Sequence, residues 1–378
     1  MRYSFFTTLA DPNNRRPYQQ IMNELREQAK MCDDAGFETL WIAEHHFGPE
    51  GMGNSANPIL LASDLGARTR RVRMGMCAVI LPWWHPIRVA EDLAILDHLL
   101  AGRLDVSVGR GVWPREGPNF HPNADPRNSD ALMTLFRESL EVIRKAWTEE
   151  FFSHQGPNYV FPAPATSWNH PMYPADPRWR DGERVTKLAI VPRPYQKPHP
   201  PLYQVCSSPT SVEFAATRGI DIQLWQPPPK AIRVYMERYA ELRSKHEGRA
   251  IDAKQHVGVL RQIYVAPTME EAQRDGRDSA SFVFLYNNPF RGLTMFMNPG
   301  ETPAPGMKMG YEFLVERGNV IVGPPDYVAE RLNELREIGG VEILLADMAL
   351  PGLSQRQILG SMELFAAKVA PLLATKTA

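Results

Sequence analysis

Cysteine is scarce in this chain. Only Cys32, Cys77 and Cys206 occur in 378 residues, and no two form a CxxC pair. That spacing excludes a disulfide framework and a structural zinc site. Net charge is nearly absent too, with 42 basic against 43 acidic side chains and a formal charge of −1. Without a global field, neither nucleic acid nor an anionic membrane is drawn in as the main partner. No apolar run approaches the roughly 20 residues that span a bilayer. The N-terminal MRYSFFTTLADPNNRR has one basic residue before a short apolar stretch. It lacks the long apolar region and small-residue cleavage site of a signal peptide. The expectation is a soluble protein that stays in the cytoplasm.

What the chain does have is alternation. Short β-like runs are read at Arg2–Leu9, Thr39–His46, Val72–Leu81, Leu104–Val108, Pro201–Val205, Asp221–Trp225, His256–Val265 and Glu342–Ala346. Amphipathic helical runs separate them: Ile21–Ala35, Asn57–Arg68, Ile87–Ala101, Ser129–Trp147, Ser211–Arg218, Lys230–His246, Thr268–Ser281, Pro325–Ile338 and Ser354–Leu373. Gly36 and Gly102 stop two of them, and Asn57 with Pro58 opens another. Strands alternating with helices predict a parallel sheet covered by helices. Eight such units predict an α/β fold closed into a (β/α)₈ TIM barrel.

Two stretches break the rhythm. Eleven of the 34 prolines fall between Pro157 and Pro201, among Trp168, Tyr173 and Trp179. The stretch is too apolar for a linker, so an ordered insertion over 150–200 is expected. The second, FVFLYNNPFRGLTMFMNPGETPAPGMKMGYEFLVERG, covers 282–318. Long stretches of this kind are lids, binding loops or disorder, although aromatic and Met side chains also serve ordinary core packing. The chain is read as one domain, 1–378, with both stretches as additions.

Active sites of such barrels lie at the C-terminal strand ends. Glu44-His45-His46-Phe47 follows the second strand. Histidine titrates near neutrality and can move protons, though a packed, hydrogen-bonded histidine looks the same in sequence. No HExxH or comparable ligand spacing occurs, so no metal is expected. Gly109-Arg110-Gly111 follows the fourth strand and offers a planar donor fork for phosphate; a turn with a surface arginine reads identically. Ser207-Ser208-Pro209-Thr210-Ser211 follows the fifth strand and opens a helix. Hydroxyls and free N–H groups there suit an anion, or simply cap the helix.

These residues resemble the bacterial-luciferase-like flavin monooxygenases. The likeness is carried by GFETLWIAEHHF, by the run from GNSANPILL to LDVSVGRG, by VCSSPTSVEFAATRG and by NVIVGPPDYVAERLNELREIGGVEILLADM. It implies a barrel that binds reduced FMN noncovalently, supplied by a separate NAD(P)H:flavin reductase. In that family O2 adds at the flavin C4a carbon to give a peroxyflavin, which attacks the substrate. The resemblance matches His45 to the catalytic histidine, with Glu44 beside it near the flavin. It matches Cys77-Ala78 to a strand position behind the flavin ring, where a non-proline cis peptide is typical. Arg110 matches the phosphate-binding arginine, Val112 and Trp113 line the flavin, and Ser207, Ser208 and Ser211 match the phosphate loop.

True luciferases carry a reactive cysteine just before that arginine, where this chain has Gly109. The departure argues against light emission from an aldehyde. It leaves room for a bulky apolar substrate, such as a cyclic ketone in a Baeyer–Villiger oxidation or a terpene-like compound. The alternatives are an F420-dependent hydride-transfer oxidoreductase and a non-catalytic flavin-binding subunit. The resemblance also implies a homodimer formed through helices near the start of the chain.

Overall fold

A computed structural model describes residues 1–373. The strands of the main sheet are β1 (Arg2–Thr7), β2 (Thr39–Ile42), β3 (Arg73–Ile80), β4 (Leu104–Gly109), β5 (Leu202–Cys206), β6 (Asp221–Trp225), β7 (Val257–Val265), β8 (Val320–Gly323) and β9 (Ile343–Asp347). They follow the order β6-β5-β4-β3-β2-β1-β9-β7, and β6 also pairs with β7. That last pairing closes a parallel eight-stranded barrel, as the alternation predicts. β8 is additional. It runs beside Gln262–Val265, the part of β7 beyond its last pairing with β6 at Leu260.

The helices are α1 (Tyr18–Ala35), α2 (Pro58–Gly66), α3 (Pro86–Leu99), α4 (Ser129–Thr148), α5 (Pro209–Ala216), α6 (Pro229–Glu247), α7 (Met269–Arg291), α8 (Tyr311–Glu316), α9 (Pro325–Gly339) and α10 (Gln355–Leu364). Local chemistry sets their ends. Asn57 accepts from the Leu60 N–H at 3.0 Å to open α2, with Pro58 at the first helical position. Gly36 takes φ 77° to end α1. No helix among the described residues is long and apolar enough to cross a membrane.

The chain divides into two bodies. The first comprises Met1–Ala78, Asp105–Ser107 and the chain from Leu202 onward. Its inward cluster consists of Phe6, Trp41, Ala43, Leu260 and Leu345, with Cys77, Tyr203, Trp225 and Ile343 packed against it. Burying each large apolar side chain contributes about 1.5–3 kcal/mol. At the N-terminal ends of the strands, Arg73 grips Asp105 with two bonds of 2.8 Å. Thr39 donates to the same carboxylate at 3.0 Å.

The second body comprises Val79–Leu104 and Val108–Pro201. Trp83, Ala124, Leu132 and Leu135 form its apolar cluster, joined by Ile80, Trp84 and Tyr159. The proline-rich insertion is ordered by short antiparallel pairs, His154–Gln155 with Val160–Phe161 and Arg180–Asp181 with Arg184–Val185. Glu138 of α4 anchors the first pair. Its carboxylate accepts from the Tyr159 N–H at 2.8 Å, the Asn158 N–H at 3.0 Å and His154 Nε2 at 3.0 Å.

Several elements differ from the sequence reading, among them β2, which ends at Ile42 rather than His46. α7 runs ten residues past Ser281, because Phe284 packs inward and keeps the helix going. α5 begins at Pro209 rather than Ser211, because Ser208 is its cap. β8 and α8 were read as neither strand nor helix. β8 is four residues long and α8 six, too short for periodicity to register.

Candidate active site

In the first body, β2 ends at Ile42, and Glu44-His45-His46 follows at the C-terminal end. Glu44 is buried, and its Oε1 lies 3.1 Å from His46 Nε2. His45 is half-buried. Its backbone N–H donates to the Ser55 carbonyl at 3.3 Å. The returning loop passes so close that a Cβ on Gly53 would lie 2.7 Å from His45 Cβ and 2.8 Å from Cδ2. Only glycine fits there without moving the imidazole, so the loop locates the ring.

β3 lies beside β2, with Ile42 in register with Met76. The peptide between Cys77 and Ala78 is cis, as the resemblance implied. Cys77 keeps some surface open, yet surrounding protein pushes its thiol up to about 12 against the opposing bond to Ser107. It is a neutral thiol at physiological pH, not a nucleophile. On β5 the strand ends at Cys206, and Ser207 is exposed. Ser208 and Ser211 form a reciprocal capping box: Ser208 Oγ accepts from the Ser211 N–H at 3.3 Å, and Ser211 Oγ accepts from the Ser208 N–H at 3.1 Å. Ser211 Oγ also donates to the Ser208 carbonyl at 2.7 Å. These hydroxyls are committed to the helix start, which leaves Ser207 and Thr210 as the exposed hydroxyls of the loop.

In the second body, Arg110 follows β4 directly and is exposed. Nearby protein nonetheless removes enough water to lower its pKa. Gly111 has φ +81°, and a Cβ there would lie 3.0 Å from Trp83 and 3.1 Å from Ile80. The GRG pattern is thus a backbone requirement as well as a source of charge. Val112 and Trp113 are half-buried.

Sequence reasoning missed two residues at the same end of the barrel. Gln262 on β7 and Asp347 at the end of β9 are in register and buried, and Gln262 Nε2 donates to Asp347 Oδ2 at 2.9 Å. Burial pushes the Asp347 carboxyl up to about 7. The signal was present in the sequence: each is a polar residue at or near the end of an apolar strand, in LRQIYV and ILLAD.

The 282–318 stretch is tied to this end of the first body. Tyr286 on α7 donates to Glu50 in the loop that follows the histidines. Phe284 and Phe296 are buried, with ring centroids 6.3 and 6.0 Å from that of Trp225 at the end of β6.

The family model described as luciferase-like monooxygenase matches residues 1–342. The flavin-dependent trigonelline monooxygenase, oxygenase component, of Acinetobacter baylyi is 25% identical over 90% of this chain and 87% of its own length. The alkanal monooxygenase alpha chain of the Kryptophanaron alfredi symbiont is 24% identical over 95% of each chain. In fold, the oxygenating constituent of 3,6-diketocamphane monooxygenase from Pseudomonas putida, a type II Baeyer–Villiger enzyme in complex with FMN, superposes with a TM-score of 0.78. That match has 23% identity and covers 98% of both chains. With a family match across nine-tenths of its length and this barrel beneath it, the chain belongs to the luciferase-like monooxygenases and is an oxidoreductase.

Proposed function

We propose that this protein is the oxygenase of a two-component system, using reduced FMN and O2 to oxygenate a bulky apolar small molecule. A separate NAD(P)H:flavin reductase supplies the reduced flavin. The observation that carries the reading is the set of candidate groups at successive strand ends: His45 after β2, the cis Cys77-Ala78 peptide on β3, Arg110 after β4 and Ser207 after β5. The groups present fit the cofactor. Arg110 has no carboxylate partner among the described residues, which leaves its guanidinium fork for a phosphate. In the first body, Ser207 and the start of α5 offer a hydroxyl and N–H donors suited to an anion. Ser208 and Ser211 hold that helix start in shape through their capping box.

Bound reduced FMN supplies the electrons that activate oxygen. The chain's own residues do the rest. His45 takes up and returns a proton, its ring held by Gly53. Cys77-Ala78 backs the flavin ring, and Val112 and Trp113 line it. The 282–318 segment, held through Tyr286 and Phe284, excludes water. Gly109 leaves room where a side chain would stand, which supports a cyclic ketone or terpene-like substrate. A cytoplasmic homodimer completes the reading. Exposed Leu60 on α2 and Leu99 on α3, at 67% and 65%, support pairing through helices early in the chain.

The experiment is a binding titration with FMN and F420 in parallel, followed by turnover with a flavin reductase, NADH and a panel of cyclic ketones and terpenes. FMN binding with oxygenated product is expected. F420 binding in place of FMN overturns the cofactor reading, and FMN binding without product across the panel overturns the substrate class.

A further inference from the structure

Two polar side chains hold equivalent places at the mouth of the barrel. Ala43, Leu260 and Leu345 belong to the inward apolar cluster of the first body. Two residues beyond Leu260 and Leu345 on their strands come Gln262 and Asp347. A two-residue step on extended backbone returns to the same face. Gln262 and Asp347 are therefore inward groups at the C-terminal rim, directly above the apolar plug.

The pair is incompletely satisfied. The carboxyl of Asp347 receives one hydrogen bond among the described residues, from Gln262 Nε2 at 2.9 Å. The other end of that amide, Gln262 Oε1, is buried without a protein partner. Turning the amide over would let it accept a carboxyl proton and would orphan Nε2 instead. One polar end of Gln262, at 1% exposure, is left over in either orientation. Buried polar atoms are rarely left without a partner, and a polar group aimed into an apolar site is how a pocket orients its ligand.

No charge competes for Asp347. From β1, Phe6 stands in register with it. On β7, Arg261 points to the opposite face and donates to the carbonyls of Leu260 and Pro227. Arg16 pairs with Asp11 and Glu24 beyond Thr7, on the outer side of β1. Cys77 and Tyr203 are the titratable side chains packed against the same apolar cluster, and burial keeps both neutral. Burial alone drives the carboxyl up, against the bond from Gln262, so near and below neutrality it carries a proton. It is then a donor, beside an amide that is an acceptor.

We propose that Gln262 and Asp347 form the polar end of the substrate site, holding a carbonyl or hydroxyl oxygen of an otherwise apolar molecule. A ketone oxygen accepts from the Asp347 carboxyl. A hydroxyl accepts from Asp347 and donates to Gln262 Oε1. This rests on the monooxygenase reading above for the nature of the ligand, while the geometry of the pair stands without it.

The test compares cyclic ketones with their exomethylene hydrocarbon analogues, in several ring sizes, binding to the flavin-free protein. At pH 6 the wild type is expected to prefer the ketone by roughly tenfold, the worth of one good hydrogen bond. Asp347→Leu and Gln262→Leu should remove the preference. Asp347→Asn, isosteric and still a donor, should keep it. In the wild type the preference should fall above pH 7, and in Asp347→Asn it should not. Infrared spectra give a readout that needs no apolar variant: a neutral carboxyl band, absent from Asp347→Asn, should shift when the ketone binds. Equal binding of ketone and hydrocarbon, no ketone binding, or an unshifted band overturns the proposal. FMN affinity is measured alongside and should be unchanged in all three variants. Failure of the wild type to bind FMN would defeat the flavin reading, while the ketone preference and the band would still decide the subsite.

Discussion

Trp41 and Gly75 face each other across β2 and β3, in register, so closely that a Cβ on Gly75 would lie 2.3 Å from Trp41 Cε3. The indole occupies the space a side chain would need, and Tyr203 meets it edge-on at 5.4 Å. Gly75→Ala must therefore displace a buried tryptophan from the inward cluster. A loss of about 1–3 kcal/mol is expected from overpacking, read as a lowered thermal midpoint. Cys77 is two residues on, so flavin affinity should fall with it. An unchanged midpoint would contradict the packing.

Arg110 should matter to the phosphate and not to the ring. Arg110→Ala should weaken FMN binding by roughly 30- to 100-fold, as for a lost charge-assisted bond of about 2–3 kcal/mol. Riboflavin, which lacks the phosphate, should bind equally to both proteins. Arg110→Lys should recover part of the loss, because a point charge replaces a planar fork. Equal losses for FMN and riboflavin would move Arg110 out of the phosphate role.

His45→Ala should separate binding from chemistry. Product formation should fall by about 10²–10⁴-fold, the usual worth of a positioned acid–base group. FMN affinity should change little, and oxygen consumed should appear as hydrogen peroxide. Full turnover in the variant would make His45 a packed histidine.

Glu138 should couple the insertion to pH. Burial opposes its charge, but bonds from Asn158, His154 and Tyr159 outweigh burial and lower its pKa. A depressed carboxylate stabilises the fold above its unfolded value and loses that contribution as pH falls through the folded value. Glu138→Gln should cost about 2–3 kcal/mol near pH 7 and much less near pH 3. Urea unfolding at both pH values checks it. Protease cleavage within 150–200 should rise in the variant.

Asp347 should show the opposite sign. Its folded pKa is raised, so the folded state holds a proton that the unfolded state releases above the ordinary carboxyl value of 3.8. Stability then falls as pH rises from about 4 to 7. At about 1.36 kcal/mol per unit, the cost by pH 8 is on the order of 4 kcal/mol. Asp347→Asn should be neutral at pH 4 and stabilising at pH 8. A variant less stable at both pH values would show that the carboxylate is not penalised.

Much of this molecule was legible in the linear chain because the physics involved is local. Eight strand–helix alternations, the caps at Asn57 and Gly36 and the histidines after β2 follow from residue spacing and turn chemistry. The resemblance added Cys77-Ala78, and the cis peptide there agrees with it. The reading stopped where contacts span distant segments. Whether the Ser208 hydroxyl caps a helix or meets a phosphate stayed open in the sequence, although its partner Ser211 is only three residues away. Gln262 and Asp347 are 85 residues apart and look like ordinary strand residues until the barrel closes. Closure places them side by side, strips their water and leaves one amide end unpaired. The sequence by itself determined the barrel and its family, since periodicity and motifs are properties of short segments. Only the tertiary structure decided which polar groups are buried, paired or left over, because burial is set by neighbours that come together through folding.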